Sequence, residues 1–263
     1  VGCIVGSCGA YASCHKDLEQ FCEQGMVMTY GSPDPYHGED VTYGGYSTHI
    51  VVDADFVLRV SSQLDQKAVA PLLCAGITTY SPLRHWKIGS QDKVGVIGLG
   101  GLGHMGIKFA SAMGAHVVMI TTSPDKAADA KKLGADEVLI SKDVDQMKAH
   151  AMSFDFLLNT IPVAHDINPY MPLLKNEKTM VLVGGTPIDL HSMNVIFGRK
   201  NISGSLIGGI KETQEMLDFC AEHQVLPEVE MIRMQDINRA YERMMKSDVK
   251  YRFVIDMQSL QDD

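Results

Sequence analysis

The sequence has few of the features that mark membrane, secreted or nucleic-acid-binding proteins. No apolar run approaches the roughly 20 residues that a membrane-spanning helix needs. The first residues show no basic segment followed by an apolar stretch and a cleavage site, so no secretory signal is predicted. The chain has 23 Lys and Arg against 32 Asp and Glu, a formal net charge of -9, and no basic cluster. Neither a nucleic acid nor a membrane is an expected partner.

The chain is long enough and apolar enough to form a sizeable core. Its 263 residues are 45% hydrophobic and 21% charged, which is ordinary for a globular protein. This length allows one large domain or two modest ones. The chain starts at Val1 and not at a methionine.

Four of the six cysteines fall within the first 22 residues. In a chain of this size with no export signal, that crowding favours a metal-binding loop over a disulfide framework. A reducing, cytoplasmic location is the simplest expectation. The six cysteines are Cys3, Cys8, Cys14, Cys22, Cys74 and Cys220.

The two ends of the chain differ from its middle in residue composition and in the secondary structure they predict. Residues 1–81 are rich in Gly, Tyr and turn residues, with a polar loop at 30–40 and β-branched and aromatic residues at 46–52 and 56–60 that predict two strands. Near the other end, residues 213–223 and 234–247 show helical patterns. The strand expected at 251–256 could return to pair with the first part.

The middle of the chain alternates apolar runs with helical patterns, which predicts βαβ units and a parallel sheet. The strands are expected at residues 93–97, 116–121, 137–140, 154–158, 179–183 and 202–207, and two of the helices at 102–113 and 124–133. Together they predict an α/β protein with a six-stranded, doubly wound sheet.

A glycine-rich loop directly follows the first of these strands. It reads Gly98-Leu99-Gly100-Gly101-Leu102-Gly103 and opens a helix. The spacing of Gly98, Gly100 and Gly103 fits the dinucleotide-binding pattern, in which free N-H groups at a helix start bind a diphosphate. The alternative is a strand–helix turn without a ligand.

Residues at the end of the second strand favour NADP(H) over NAD(H). An NAD site places a carboxylate there to accept from the ribose hydroxyls. This sequence has Thr121, Thr122 and Ser123, then Lys126, and hydroxyls with an ammonium suit a ribose 2'-phosphate. The alternative is that the hydroxyls only cap a helix. The carboxylate of Asp125 would repel a 2'-phosphate unless it points outward.

Several stretches together resemble the zinc-type medium-chain alcohol dehydrogenases, and most of all the cinnamyl alcohol dehydrogenase branch with its bacterial aldehyde reductase relatives. The matching stretches are residues 70–83, 98–106, 208–209 and 251–256. The resemblance implies a Rossmann domain, a β-rich GroES-like catalytic domain and NADPH-dependent interconversion of aldehydes and primary alcohols at a catalytic zinc. It also implies a homodimer that joins the sheets around residues 193–207.

The resemblance assigns roles to individual residues. Cys74 would be a catalytic zinc ligand, although on its own it could equally be a small packed hydrophobe. Thr78 would lie by the nicotinamide, and Thr160, Gly184, Ser205 and Ile207 would line the cofactor cleft. Cys8, Cys14 and Cys22 would be structural zinc ligands, with Tyr11 where the family has a fourth cysteine, so that this site is empty, weak or completed by a group such as His15.

The chain departs from the family at its start. The other catalytic zinc ligands, a cysteine and a His-Glu pair, have no counterpart here, and His15, His37 and His104 stand alone. The expected domains are an incomplete catalytic domain at residues 1–73, an NADP-binding domain at 74–211 and a return to the catalytic domain at 212–263. We therefore expect a fragment of an enzyme, inactive and prone to aggregate as given. The alternatives are a non-catalytic NADP(H)-binding remnant and a zinc-free quinone or enone reductase.

Overall fold

The computed structural model describes residues 1–36, 38 and 41–261. The chain divides into two compact units: a terminal unit of residues 1–77 and 207–263, and a central unit of residues 78–206. The domain boundaries expected after residues 73 and 211 stay predictions. His37 lies outside the described residues. Among the residues described, no helix has the length and apolar character needed to cross a membrane.

The secondary structure is mixed throughout. The strands are β1 (Ile4–Gly6), β2 (Val27–Met28), β3 (Lys93–Ile97), β4 (His116–Thr121), β5 (Glu137–Ile140), β6 (Phe154–Asn159), β7 (His165–Asp166), β8 (Leu174–Leu182), β9 (Ile188–Asp189), β10 (Asn201–Gly204), β11 (Val229–Arg233) and β12 (Arg252–Asp256). The helices are α1 (Gln66–Pro71), α2 (Ile77–His85), α3 (Gly103–Ala112), α4 (Ala127–Lys132), α5 (Val144–Ala149), α6 (Met193–Ile196), α7 (Ile210–His223) and α8 (Ile237–Met245).

The central unit is built on a six-stranded sheet in the order β10-β8-β6-β3-β4-β5. All neighbouring strands in it run parallel. From β3 the chain winds outward through β4 and β5, then returns to β6 and winds outward on the other side. The predicted doubly wound α/β fold is therefore confirmed, and the winding reverses between β3 and β6, where such sheets bind their ligands.

The middle strands form because their side chains are buried on both faces of the sheet. Val94 and Val96 of β3 and Leu157 and Leu158 of β6 are all 0% exposed. Strands of a parallel sheet covered by helices on both faces are expected to be continuously apolar in this way. This burial explains why short apolar runs located the six strands. The ends of the strands were predicted less accurately: β8 starts at Leu174, before the expected start at residue 179.

The terminal unit contains two small sheets. β1 pairs with β2 in the antiparallel direction, and β12 pairs with β11 in parallel, from Val229 opposite Arg252 to Arg233 opposite Asp256. The strand expected at residues 251–256 therefore pairs with β11, a strand that the sequence pattern did not predict, and with none of the described residues in the first part of the chain.

The strands expected at residues 46–52 and 56–60 are absent from the structure. Residues 46–52 are irregular, Ala54–Phe56 is a 3-10 helix and Val51 is 99% exposed. A strand forms when a neighbour satisfies its N-H and C=O groups. Among the described residues no strand pairs with these segments, so β-branched composition alone predicted them wrongly.

Candidate functional site

The loop between β3 and α3 can be closed only by glycine at two of its positions. Gly98 has a φ of +93°, in the left-handed region that L side chains rarely adopt. A Cβ on Gly103 would lie 2.0 Å from the carbonyl oxygen of Gly98. The start of α3 therefore packs directly against the end of β3, and no side chain fits between them.

Gly100 has a different role, since nothing in the protein lies within 4 Å of the place where its Cβ would be. The space beside it is open, so that its lack of a side chain leaves room for a ligand. In the part of the chain that the structure describes, the N-H groups of residues 99–102 donate no backbone hydrogen bond to the protein. Together with the positive end of the α3 dipole, these groups form a cradle for an anion.

Hydroxyls and an ammonium follow the end of β4. Thr121 is 7% exposed, and its Oγ1 accepts a hydrogen bond of 3.1 Å from the N-H of Ser123. Thr122 is exposed and Ser123 is half-buried. Lys126 Nζ donates to the carbonyl oxygen of Leu99 at 3.4 Å, so the ammonium lies beside the glycine loop.

No carboxylate occupies the end of β4. Asp125 is exposed and lies in the 3-10 turn Pro124–Lys126 that leads into α4. Ser123 precedes this turn, and its side chain makes no capping hydrogen bond. The hydroxyl of Ser123 is thus not used to cap the turn, and the corner fits a ribose 2'-phosphate better than two free ribose hydroxyls.

The end of β6 is tied to the glycine loop by Thr160. This residue is 6% exposed, and its Oγ1 donates to the carbonyl oxygens of Ile97 at 2.9 Å and Gly98 at 3.3 Å. A Cβ on Gly184 would lie 2.5 Å from the carbonyl oxygen of Ile161. The structure therefore brings Thr160 and Gly184 to the same switch point as the loop, where Thr160 supports the backbone.

The remaining residues assigned to cofactor binding are Thr78, Ser205 and Ile207. Thr78 is 6% exposed in α2, and the N-H of Ser205 donates to the carbonyl oxygen of Leu182 at 3.0 Å, both within the central unit. Ile207 belongs to the terminal unit and has a φ of +36°. A β-branched residue in this region is strained, and such strain is frequent at functional sites.

Cys74 lies in the π-helical segment Leu72–Gly76, and its thiol is exposed. Single π turns inside helices are frequent at functional sites. The sequence did not reveal that Cys3 lies beside it, with its one S–H shared between the Cys74 sulfur and the carbonyl oxygen of Leu73, which is 3.3 Å away. The hydrogen bond from Cys3, helped by the positive charge of Arg252, lowers the pKa of Cys74 to about 6.

The described residues do not provide a catalytic zinc site around Cys74. Such a site needs about three protein ligands and one open position. Among these residues, the one group of three or more Cys, His, Asp or Glu ligand atoms that could hold an ion is Cys8, Cys14 and Cys22. Cys74 thus contributes one thiolate, and no metal-dependent step follows from the residues present.

Cys8, Cys14 and Cys22 meet in the first loop of the terminal unit. The Sγ atom of Cys8 lies 3.8 Å from that of Cys14 and 3.3 Å from that of Cys22, and all three lie within 4.8 Å of one another. Burial raises the pKa of Cys22, but the N-H groups of Cys8 and Gln24, which donate to its sulfur, outweigh this and the pKa is lowered. The structure therefore brings together the three cysteines predicted to bind metal.

Two residues considered for the fourth position are not part of this cluster. Tyr11 is 47% exposed, and its hydroxyl accepts a hydrogen bond of 3.3 Å from Gln24 Nε2. His15 lies in the 3-10 helix Cys14–Lys16 and is exposed, and no His, Asp or Glu among the described residues joins the three thiols.

The cysteine loop is docked on the start of α7 in the same unit. Glu19 Oε2 accepts from the N-H of Ile210 at 3.0 Å, and Lys211 Nζ lies 3.0 Å from Asp17 Oδ2. A Cβ on Gly209 would lie 2.0 Å from the carbonyl oxygen of Asp17. These contacts anchor the loop to the start of α7.

Comparisons with known proteins agree on one family. The zinc-binding dehydrogenase family matches residues 101–222. The chain is 56% identical to aldehyde reductase YahK of Escherichia coli strain K12, over 100% of this chain and 76% of that protein. It is similar to the structure of cinnamyl alcohol dehydrogenase SbCAD4 from Sorghum bicolor, with 43% identity and a TM-score of 0.94, covering 97% of this chain and 73% of that one. It is also similar to the structure of a CAD from Helicobacter pylori complexed with NADP(H), with 42% identity and a TM-score of 0.90, covering 98% of this chain and 74% of that one.

The thiol pair predicts a specific pH dependence for Cys74. Its pKa of about 6 keeps it mostly thiolate at pH 7, so iodoacetamide should label it with a midpoint near pH 6 in chelator-treated protein. Cys3→Ala removes the donor and should raise this pKa, which slows labelling at pH 7 about tenfold, whereas Cys3→Ser keeps a donor and should slow it less. Mass spectrometry of the Cys74 peptide measures the rate, and an unchanged midpoint in Cys3→Ala would refute the assignment.

Proposed function

Because the chain belongs to the zinc-binding dehydrogenases, we propose that its glycine loop and the residues after β4 hold NADP(H) for the interconversion of alcohols and aldehydes. The observation that carries this proposal is the loop itself. Gly100 leaves open space beside N-H groups that the protein does not use, in a unit whose winding reverses at that edge. The family and the oxidoreductase class expected from the sequence are confirmed by the relatives.

Each part of the cofactor has a proposed partner in the central unit. The N-H groups of residues 99–102 bind the diphosphate. The hydroxyls of Thr122 and Ser123 and the ammonium of Lys126 hold the 2'-phosphate, and Thr121 positions Ser123. When bound, NADPH supplies a hydride for the carbonyl carbon of an aldehyde.

The remaining assignments rest on the resemblance and stay proposals. Thr78 lies by the nicotinamide, while Gly184, Ser205 and Ile207 line the cleft. Thr160 acts through the backbone, because its hydroxyl holds the carbonyls of Ile97 and Gly98. Cys74 is the zinc ligand that this chain supplies; its exposed thiol and lowered pKa suit metal coordination.

Two expectations about the setting of the protein are also proposals. All six cysteines are free thiols, which supports a reducing compartment such as the cytoplasm; recovery of the native protein in an oxidising compartment would argue against it. The homodimer is supported by β10, which lies at one edge of the six-stranded sheet.

A carboxylate introduced after β4 should reverse the cofactor preference. Ser123→Asp places a negative charge where the 2'-phosphate binds, so the Kd for NADPH should rise about tenfold or more, while the Kd for NADH changes little or falls. Fluorescence titration measures both constants. Ser90→Asp adds the same charge before β3, at the amino end of that strand, and should change neither. Preference for NADH in the unaltered protein would refute the proposal.

A second candidate function, NADP(H) binding without turnover, is favoured by the single thiolate at Cys74. Since catalytic zinc needs about three protein ligands, we expect the 263-residue chain to bind NADPH but to show little or no aldehyde-dependent NADPH oxidation, even with added zinc. Absorbance at the NADPH band measures this. Turnover that disappears in Cys74→Ser would contradict the expectation and assign the full reaction to this chain.

The dimer proposal predicts a monomeric variant. Phe197 is 71% exposed between α6 and β10, so Phe197→Asp should place an unpaired charge in the interface and shift a dimer to monomer. Val144→Asp is the matched control, because Val144 is 62% exposed in α5, next to β5 at the other edge of the sheet. Light scattering coupled to size-exclusion chromatography gives the mass. A monomeric unaltered chain would rule the dimer out.

A further inference from the structure

A chain of hydrogen bonds closes the loop between β6 and β7, which comprises residues 160–164 and is called the β6–β7 loop below. Asn159, the last residue of β6, is 2% exposed. Its Oδ1 accepts from the N-H of Ile161 at 3.2 Å, and its Nδ2 lies 2.9 Å from Nε2 of His165. Nδ1 of His165 lies 2.7 Å from the carbonyl oxygen of Val163. The chain of bonds therefore starts and ends on the backbone of this loop.

The two backbone groups at the ends of this chain fix every proton between them. The N-H of Ile161 can only donate, so the Asn159 atom that faces it is the amide oxygen, and the NH2 group faces His165. Nε2 of His165 must then accept, and the ring carries its proton on Nδ1, from which it donates to the carbonyl oxygen of Val163. This assignment follows from the hydrogen-bond network and requires a neutral ring.

The β6–β7 loop lies directly against the glycine loop. The hydroxyl of Thr160 donates to the carbonyl oxygens of Ile97 at 2.9 Å and Gly98 at 3.3 Å. A Cβ on Gly98 would lie 3.1 Å from Cγ1 of Ile161, and a Cβ on Gly184 would lie 2.5 Å from the carbonyl oxygen of Ile161. Because the packing is this close, a shift of the Ile161 backbone would be passed on to the turn at Gly98.

We propose that Asn159 and His165 are positioning residues for the cofactor: through the β6–β7 loop they hold the turn at Gly98 in the conformation that binds the diphosphate. Both act through the backbone. The inference rests on the proposed function, because it takes the glycine loop as the place where NADP(H) binds. It adds a proton assignment, a neutral His165 with its proton on Nδ1, which can be measured without the cofactor.

Long-range 1H–15N NMR of the full chain measures the protonation of the His165 ring directly, with His165→Gln identifying its resonances. At neutral pH we expect Nδ1 to show the 15N shift of a protonated nitrogen and Nε2 that of an acceptor. Asn159→Asp keeps the oxygen that faces Ile161 but replaces the NH2 group by a second oxygen, so both ring nitrogens should then carry protons. A ring protonated on Nε2 in the unaltered chain would overturn the assignment.

The Kd for NADPH, from fluorescence titration, tests the positioning role. Asn159→Leu removes both hydrogen-bonding groups at similar volume and leaves the N-H of Ile161 unpaired, so the Kd should rise about tenfold. Asn159→Asp still accepts that N-H and should restore most of the affinity. Gln146→Leu is the matched control, because Gln146 Oε1 accepts from the N-H of Ile140, the last residue of β5, at 3.1 Å. It should lower the melting temperature without changing the Kd.

The outcomes distinguish this inference from the proposed function. An unaltered chain that does not bind NADPH would overturn both. NADPH binding that is equally tight in the unaltered chain and in Asn159→Leu would overturn the positioning role alone. The same conclusion would follow if Asn159→Asp were as weak as Asn159→Leu, or if Gln146→Leu raised the Kd as much. If Asn159→Leu does not fold, His165→Phe, which removes both ring nitrogens, replaces it with the same expectation.

Discussion

The structure of the central unit depends on one close approach, that of Gly103 to the carbonyl oxygen of Gly98. A Cβ at Gly103 would be 2.0 Å from this oxygen, so any side chain there would push α3 away from the end of β3. The approach places the first turn of α3 directly after the loop, and the free N-H groups of residues 99–102 follow from it. Thr160 and Lys126 then bond to the backbone of the same loop, which ties the end of β6 and the residues after β4 to it.

The two candidate metal positions differ in how much the protein has organised. At Cys74 one exposed thiol is activated by Cys3 and Arg252, but no group of three ligand atoms includes it among the described residues. At the cysteine loop three thiols are already grouped and anchored to α7. A single thiolate does not make a zinc site, because zinc affinity comes from three or four donors acting together. The glycine loop, in contrast, is built entirely from residues of the central unit.

Sequence reasoning succeeded for the parts of the fold that are encoded locally. Continuous apolar runs marked the buried strands because both faces of the parallel sheet are covered. The glycine spacing marked the loop because Gly98 needs a positive φ and Gly103 packs against the carbonyl oxygen of Gly98. It failed at residues 46–60, where β-branched residues were taken for strands although no neighbouring strand pairs with them. It also missed the short polar helix α5, which is capped by the side chain of Asp143.

Local pattern alone determined the six-stranded α/β fold, the glycine-rich loop and the cysteines that gather in the first loop, because these features depend on residues close together in the chain. Tertiary structure decided the partners that are distant in sequence. It placed Cys3 beside Cys74, paired β12 with β11, and docked Glu19 on Ile210. It also turned Tyr11 towards Gln24 and grouped three thiols that no fourth Cys, His, Asp or Glu of the described residues joins. The physical reason is that a spacing rule specifies which residue types occur, whereas a hydrogen bond or a ligand set depends on which atoms the folded chain brings within reach.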